Sequence, residues 1–370
     1  MKLNKNKLNE KAQSISRLEI VACLKLIRWQ GVSNRCKLLA IKKAGSCFQT
    51  LSLTKRDWET EFQSRLKSNH LPEDCDISQD MQWLAKPGHF LLPVSCVEYP
   101  ENLSALYDSP IGLFVQGDIT ALALPQIAVV GSRRYTPAGK KIAAQIAIDL
   151  VSAGIGVVSG MAIGIDASAH QACCDTGGQT IAVAGSGLDI VYPKQNKFLA
   201  QQILANGCIV SEFAPGTPPR KQNFPARNRI ISGLSLAVIV VEAAKRSGSL
   251  ITARLALEQG KDVFAVPGSI LSPQSQGCNL LIQQGAMLYS NIDDLLFELQ
   301  LPLQNIINEK NELSYSCPVL QAISYDETSL DELLLSLNLD FQAISARLVE
   351  LELDGLIVRG HNGHYTRLSQ

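Results

Sequence analysis

The feature that most constrains the fold is a series of short apolar runs between Ile127 and Ala286, most of them separated by segments of helical periodicity. Apolar strands that alternate with helices are typical of a parallel β-sheet covered by helices on both faces. Such sheets bind their ligands at the carboxyl ends of the strands. The sequence therefore predicts an α/β fold whose functional residues lie in the turns that follow the strands. The predicted strands are 127–130, 156–159, 181–184, 208–211, 236–241 and 263–266.

The turn after the first of these strands has the residue types of an anion site. It contains Gly131, Ser132, Arg133 and Arg134, and a helical segment follows from about Pro137. A strand, a tight turn and a helix aim free backbone N–H groups and the positive end of the helix dipole at an anion. Because two arginines accompany this turn, we expect the anion to be a phosphate.

Turns of the same kind follow the later strands and are expected at the same edge of the sheet. Asp166 suits the N-cap of a helix that carries His170 one turn later, and the two residues form either a structural contact or a catalytic dyad. Small hydroxyl residues open a further helix near residue 250, which gives another helix N-terminus able to receive an anion. The turn residues of this edge are Gly164, Asp166, Gly187, Asp189, Glu242, Ser247, Gly248 and Ser249.

The most informative polar stretch is 220–229, in which four cations surround Phe224. Cations neutralise phosphates and a phenyl ring stacks on a base, which is how proteins hold single strands without reading their sequence. In the alternative interpretation Phe224 anchors the core and the arginines are solvated or paired with Glu212 and Glu242. The four cations are Arg220, Lys221, Arg227 and Arg229.

The formal net charge is zero, but the charges are unevenly distributed. Residues 1–70 contain 15 Lys+Arg and 5 Asp+Glu, a net of +10, whereas residues 313–370 contain 3 Arg, no Lys and 8 Asp+Glu, a net of −5. A basic head fits contact with a polyanion, and it equally fits a small helical domain with a solvated lysine face.

The segments that flank the predicted sheet have patterns of their own. Residues 1–70 have the periodicity of helices around a glycine turn, which is compatible with a helix-hairpin-helix or a sterile-alpha-motif-like module. Residues 313–370 predict three helices and a hairpin, which make a winged helix. Because this winged helix is acidic where a DNA-reading helix is basic, it favours contact with a protein or simple structural packing.

Several classes of protein are not supported by the sequence. The longest apolar run, 234–241, is far shorter than the roughly 20 residues of a membrane helix, and we expect a cytoplasmic protein without a secretory signal. The ten cysteines are scattered and contain no C-x-x-C motif, so we expect buried thiols, with neither disulfides nor a metal site. No motif for a dinucleotide or for ATP is present, and we expect no cofactor.

These motifs together resemble one family closely, the DNA processing protein A (DprA, also Smf) family. The similarity extends over about residues 125–290, and the flanking segments resemble the family's sterile-alpha-motif-like head and winged-helix tail. One departure is Cys278, where the family usually has threonine before Asn279. The motifs that carry the resemblance are 130–133, 159–170, 187–193, 211–212, 224–231, 241–243, 247–253 and 266–268.

The resemblance implies an extended Rossmann-like domain over 87–300, a helical head over 1–86 and a winged-helix domain over 313–370. It also implies a non-catalytic protein that binds single-stranded DNA, forms a homodimer and loads the RecA recombinase during natural transformation. By the same resemblance the Gly131-Ser132-Arg133 turn grips a phosphate, Lys221 contacts phosphate and Phe224 stacks on a base. Arg227 and Arg229 form the pocket wall or contact the backbone, and Ser247, Gly248 and Ser249 line the same pocket.

A phosphoribohydrolase-like enzyme that processes nucleoside monophosphates on the same kind of sheet is the alternative. Those enzymes resemble this chain at the Gly-Ser-Arg turn, but they carry Pro-Gly-Gly-x-Gly-Thr followed by a catalytic glutamate. This chain has Glu242-Ala243-Ala244-Lys245 after the corresponding strand. The hydrolytic signature is therefore missing, and the sequence favours a binding protein.

Overall fold

The predicted strands pair side by side in one nine-stranded sheet, as seen in a computed structural model of the chain. The structure describes residues 12, 15–30, 32–54, 56–58, 75–301, 318–324, 328–337, 339–353, 356–360 and 364–367. The strand order is β1-β2-β6-β5-β4-β3-β7-β8-β9. Strands β1, β2 and β6 pair antiparallel, and the remaining neighbours pair parallel. The strands are β1 His89–Pro93, β2 Gly112–Gly117, β3 Gln126–Val130, β4 Gly156–Ser159, β5 Thr180–Val183, β6 Cys208–Ser211, β7 Ala237–Val240, β8 Asp262–Ala265 and β9 Met287–Leu288.

This architecture confirms the predicted α/β fold with a largely parallel sheet. All six strands expected from the apolar runs are present, and β1, β2 and β9 extend the sheet at its two edges. The chain adds β4, β5 and β6 to one side of β3 and then returns to add β7, β8 and β9 to the other side. The order of strands therefore reverses between β3 and β7, and a crevice opens outside the carboxyl ends of two strands at such a point.

The central strand β3 is buried on both faces because its side chains alternate between two cores. Ile127 and Val129 pack against Ile146 and other residues of one helical layer, whereas Ala128 and Val130 pack with Ile230 on the opposite face. The helices that follow the head are α5 Glu101–Ser104, α6 Pro137–Ser152, α7 Ile165–Asp175, α8 Lys197–Asn206, α9 Asn223–Leu234, α10 Ser249–Glu258, α11 Gln276–Gln283 and α12 Ile292–Glu298.

The head shares a hydrophobic core with one side of the sheet. Leu24 and Trp29 of the head lie in the same buried cluster as Phe114 of β2 and Ala182 of β5. The Arg28 guanidinium also pairs with Asp80 at 2.6 Å and donates to the Pro215 carbonyl at 2.9 Å. The helices of the head are α1 Arg17–Arg28, α2 Asn34–Ala44, α3 Cys47–Leu51 and α4 Ser78–Leu84.

The chain divides into two compact units, Met1–Gln304 and Asn305–Gln370. A boundary at residue 86 between the head and the sheet domain stays a prediction. The second unit contains helices α13 Pro318–Ala322, α14 Leu330–Ser336 and α15 Phe341–Leu353, followed by the hairpin of β10 Ile357–Arg359 and β11 Tyr365–Arg367. In the part of the chain that the structure describes, no helix is long and apolar enough to span a membrane.

Candidate nucleic-acid interface

A cleft of about 590 Å³ opens at the carboxyl ends of β3 and β7, where the strand order reverses. We call it the rim cleft. Its walls come from the turns after β3 and β7 and from the first residues of α7, α9 and α10. Four arginines line it against a single carboxylate, Asp166, so its field is positive and favours anions. The arginines of the rim cleft are Arg133, Arg134, Arg227 and Arg246.

The turn after β3 is fixed from within and presents its first arginine to solvent. The Ser132 hydroxyl donates to the Arg134 carbonyl at 2.8 Å and accepts from the Arg134 N–H at 3.0 Å. Gly131 is required by close packing, since a Cβ there would lie 2.7 Å from the Ile165 side chain. Arg133 is exposed at the mouth of the cleft.

The N-terminus of α6 already has an anionic partner within the protein. The carboxylate of Glu242 accepts from the Thr136 backbone N–H at 2.9 Å and from the Thr136 hydroxyl at 2.5 Å. Thr136 is the N-cap of α6, so the buried glutamate satisfies the helix end and its dipole. An anion at the turn after β3 therefore depends on the arginines more than on the helix N-terminus that the sequence pattern indicated.

Arg227 forms a positively charged floor under the rim cleft. Its side chain is buried, and its Nη1 donates to the Gly160 carbonyl at 2.6 Å and to the Val183 carbonyl. Burial lowers the pKa of Arg227 to about 10, while Asp166 opposes that shift. Its Nε has no hydrogen-bond partner among the described atoms. The carbonyls of β4 and β5 thus hold a fixed cation in place.

Asp166 organises the loop between β4 and α7. Its carboxylate accepts from the N–H groups of Gly160 at 3.1 Å and Ala162 at 3.4 Å. Burial raises the pKa of Asp166, and Arg227 and the backbone N–H groups counter that effect. Gly164 permits the bend before α7, because its φ of +104° is a conformation that other residues rarely adopt.

His170 takes no part in a dyad with Asp166. Its Nδ1 lies 2.7 Å from the Thr180 hydroxyl, and the side chain is fully buried. Burial lowers the pKa of His170 to about 3, and the charge of Arg227 adds to the effect. The imidazole is therefore neutral, and its hydrogen-bond partner is Thr180, so neither the structural contact with Asp166 nor the catalytic dyad describes this residue.

Phe224 stands at the wall of the rim cleft and is half-buried. Its ring packs against Gly185, where a Cβ would approach it to 2.9 Å, and its centroid lies 5.4 Å from that of Tyr192. The Arg133 guanidinium carbon lies 5.9 Å from the centre of the Phe224 ring, within reach of a cation–π contact. A partly exposed ring and a guanidinium thus lie together in one cleft.

The two arginines of helix α9 have different partners. Arg229 does not line the rim cleft; it pairs with the buried Glu212 and, at 3.1 Å, with Asp108. The pairing with Glu212 was the alternative for this residue. Lys221 precedes α9 and is exposed, although it does not line the cleft itself.

The loop after β7 supplies the polar wall opposite Phe224. The hydroxyls of Ser247 and Ser249 lie 2.7 Å apart, and all of Ser247, Gly248 and Ser249 line the cleft. Gly187 and Asp189 lie farther along the edge, where the Asp189 carboxylate accepts from the Gly216 N–H at 2.9 Å. These two residues support a neighbouring loop and do not line the cleft.

The sequence patterns missed three residues of this edge. Arg246 lines the rim cleft from the loop after β7, and Asn228 lines it from α9. Tyr192 is 44% exposed and lines a side pocket of about 80 Å³ together with Phe224 and Arg133. An aromatic residue in the third strand-to-helix turn was the available signal for Tyr192.

Comparison with protein-family models gives two matches. Residues 91–300 match the family described as DNA recombination-mediator protein A, and residues 317–363 match the DprA winged helix domain. The expected winged helix is therefore confirmed. The first match spans more than half of the chain and includes every residue of the rim cleft.

Two relatives match most of the chain or of their own length. Protein Smf of Escherichia coli (strain K12) is 42% identical over 303 residues, which cover 79% of this chain and 81% of that protein. DNA processing protein DprA of Streptococcus pneumoniae (strain ATCC BAA-255 / R6) is 46% identical over 228 residues, which cover 62% of this chain and 79% of that protein.

Two solved structures share the fold at substantial sequence identity. The X-ray structure of DNA processing protein A from Streptococcus pneumoniae has a TM-score of 0.66 and 39% identity, and it covers 77% of this chain and 98% of that one. The second describes the single-stranded DNA binding mode of DNA processing protein A from Helicobacter pylori. It has a TM-score of 0.51 and 35% identity, and it covers 54% of this chain and 92% of that one.

Proposed function

This chain belongs to the DNA recombination-mediator protein A family, and from that premise we propose that it binds single-stranded DNA in the rim cleft and delivers the strand to the RecA recombinase. The observation that carries the proposal is the association of Arg133 with a partly exposed phenyl ring in a cleft with four arginines and one carboxylate. Phosphate and base are the two chemistries that this pair recognises. The Helicobacter pylori relative, whose structure describes a single-stranded DNA binding mode, supports the same ligand.

The cations and aromatic rings in and near the cleft have different proposed roles. Arg133, an exposed cation of the cleft, and Lys221, an exposed cation just before α9, contact phosphates. Phe224 stacks on a base, and Tyr192 beside it extends the stacking surface. Arg227 supplies a fixed charge below the strand, whereas Arg229 is excluded from the contact by its own carboxylate partners.

The turn residues act mainly by holding this arrangement. Gly131 and Ser132 set the direction of Arg133, and Glu242 fixes the start of α6. Ser247, Gly248 and Ser249 offer hydroxyls and an uncrowded backbone opposite the ring, since a Cβ added to Gly248 meets nothing within 4 Å. No covalent chemistry is needed for this role, so the proposed protein is a non-catalytic binder.

The finer function follows from the family. We expect two chains to associate as a homodimer, to protect incoming DNA and to load RecA during natural transformation, in the cytoplasm. Analytical ultracentrifugation tests the dimer. The rate at which RecA filaments form on labelled single strands, with and without this protein, tests the loading step.

Fluorescence anisotropy with labelled oligonucleotides at a series of salt concentrations tests the binding site. Arg133→Ala with Lys221→Ala removes two phosphate contacts, so the slope of log K against log salt should become shallower by about 1.4 for a single strand. Lys140→Ala with Lys141→Ala is the matched control, because it removes two exposed cations of α6 that do not line the cleft.

The outcomes separate the two functional classes. An unchanged slope in the rim variant would remove Arg133 and Lys221 from the contact. Equal affinity for duplex DNA would contradict a single-strand role. Release of a free base from nucleoside monophosphates by the wild-type protein would favour the phosphoribohydrolase-like alternative.

A further inference from the structure

A second cleft of about 540 Å³ lies between α2 of the head and the segment 94–109. We call it the head cleft. It shares no lining residue with the rim cleft, and no aspartate or glutamate lines it. Its lining contains two cations, an exposed aromatic ring, several serines and an aliphatic floor. These are the components of a site for a flexible polyanion that has apolar faces.

The cations lie on one face of α2. Arg35, Leu39 and Lys42 are spaced at i, i+4 and i+7, which places them along a single stripe of the helix. The opposite face is buried through Lys37, Ala40 and Ile41, so this stripe is not required by the core. Both cations are exposed, and neither has a carboxylate partner among the residues that the structure describes.

Tyr107 supplies the ring on the other wall. It is 67% exposed, and the Arg35 guanidinium carbon lies 4.3 Å from the ring centroid. A ring held by a guanidinium and open to solvent is a surface on which a base stacks. The head cleft thus repeats the chemistry of Arg133 and Phe224 at a different place in the same compact unit.

We propose that the head cleft is a second contact for single-stranded nucleic acid, with Arg35 and Lys42 on phosphates and Tyr107 on a base. The inference goes beyond the rim cleft and rests on the proposed single-strand binding. It gives the positive charge of the head a specific target, because a simple solvated lysine face does not need an exposed tyrosine held against an arginine. An acidic peptide would use the cations alone and would leave the ring unused.

The neighbouring surface limits the path of the strand. Tyr107 also lines a third cleft, in which Asp108 and Glu258 carry negative charge. Arg229 and Lys261 line the same cleft and balance these charges, so it offers phosphates no surplus of positive charge and the strand is expected to stop at Tyr107 on that side.

Binding of the full-length protein to oligothymidylates of increasing length tests this inference. A strand long enough to reach both clefts gains affinity through effective concentration, so the wild type should show a rise of tenfold or more above a threshold length. Arg35→Ala, Lys42→Ala and Tyr107→Ala combined should abolish that rise and leave the affinity for short strands in the rim cleft unchanged. The single substitution Tyr107→Phe should retain the stacking contribution to the rise, because Arg35 and Lys42 are intact in that variant.

The controls separate the two proposals. All three substituted side chains are exposed, so the thermal midpoint should be unchanged, and Lys140→Ala with Lys141→Ala again serves as the charge-matched control. A rise that persists in the triple variant, or a variant effect that is equal on duplex DNA or on an oligoglutamate peptide, would overturn the second contact. Failure of the wild type to bind any single strand would instead defeat the proposed function itself.

Discussion

One cleft lies at the carboxyl ends of the parallel strands and another at their amino ends, and each is lined by a buried arginine of α9. Only the cleft at the carboxyl ends suits a polyanion. The rim cleft at the carboxyl edge contains four arginines and one internally bonded carboxylate. The cleft at the amino ends of β7 and β8, the amino-end cleft, is larger, at about 750 Å³. In this cleft Arg229 pairs with Asp108, and Lys261 donates to backbone carbonyls. Glu258 adds a second negative charge to the lining. Volume alone is therefore a poor guide, and the surplus of positive charge distinguishes the edge that we propose binds DNA.

The reason for the difference lies in what each arginine is bonded to. Arg227 donates to neutral carbonyls of two strands and forms no ion pair among the described residues, so its positive charge, only partly compensated by Asp166, is available to a ligand above it. Arg229 instead contacts two carboxylates, and its charge is cancelled. At the amino edge Lys261 donates to three carbonyls at the carboxyl end of α9, at 2.5–2.8 Å, and thereby acts as a cap.

The largest effect that tests this comparison is on the stability contributed by the ion pair of Arg229 with Glu212. Arg229→Ala leaves Glu212 buried without its cation, and breaking such a pair costs about 3–5 kcal/mol. Urea unfolding should show this loss, while single-strand affinity measured well below the unfolding transition should be unchanged. Arg229→Met with Glu212→Leu is the matched variant and should recover much of the stability. A large loss of affinity without a change in stability would move Arg229 into the DNA contact.

The next effect is on binding at the carboxyl edge. Phe224→Ala removes the stacking ring, and such a ring contributes about 1–3 kcal/mol per base, which corresponds to roughly a 5- to 150-fold loss of single-strand affinity. Because the lost contact carries no charge, the salt slope should stay that of the wild type. Anisotropy titrations at several salt concentrations measure both quantities. A shallower slope would indicate that Phe224 acts by positioning Arg133.

The pH dependence of stability tests the buried His170, whose pKa is lowered by burial and by the charge of Arg227. The pKa of His170 is about 3 in the folded protein and about 6.5 when unfolded, so below pH 6.5 the unfolded chain binds a proton that the folded chain does not. The free energy of unfolding should therefore fall by up to about 1.4 kcal/mol per pH unit as pH decreases from 6.5. Urea unfolding at pH 7, 6 and 5 measures this contribution, and His170→Gln should remove it. An identical pH dependence in the variant would assign the effect to other groups.

A pH dependence of the opposite sign is expected at Glu212. Burial raises the pKa of Glu212, and Arg229 opposes the shift. The contribution of Glu212 to the free energy of unfolding is therefore present below its unfolded pKa and is lost as pH rises through its folded pKa. His170 and Glu212 therefore contribute pH slopes of opposite direction.

The smallest effect is expected at the exposed partner of Arg229. Asp108 has a side chain that is 56% exposed, and pairs of this kind contribute at most about 1 kcal/mol. Asp108→Asn should therefore change stability little and leave DNA affinity as it is. A gain in affinity after loss of this charge would show that the amino-end cleft also meets the strand.

The sequence by itself determined the sheet and the edge at which we propose the site. Apolar runs identified six of its strands, and glycines, serines and arginines in the following turns identified the rim that contains Arg133 and Phe224. Local patterns suffice here, because strand burial and tight turns depend on residues close together in the chain. The resemblance of the same turns to a known family indicated the family correctly.

Only the tertiary structure decided which charges remain free. Arg227 and Arg229 are two residues apart, yet one bonds carbonyls 67 and 44 residues away and the other bonds Glu212. The pairing of Glu242 with Thr136, 106 residues away, likewise could not be derived from spacing. A charge becomes available or cancelled according to which distant groups pack against it, and no local pattern encodes those partners.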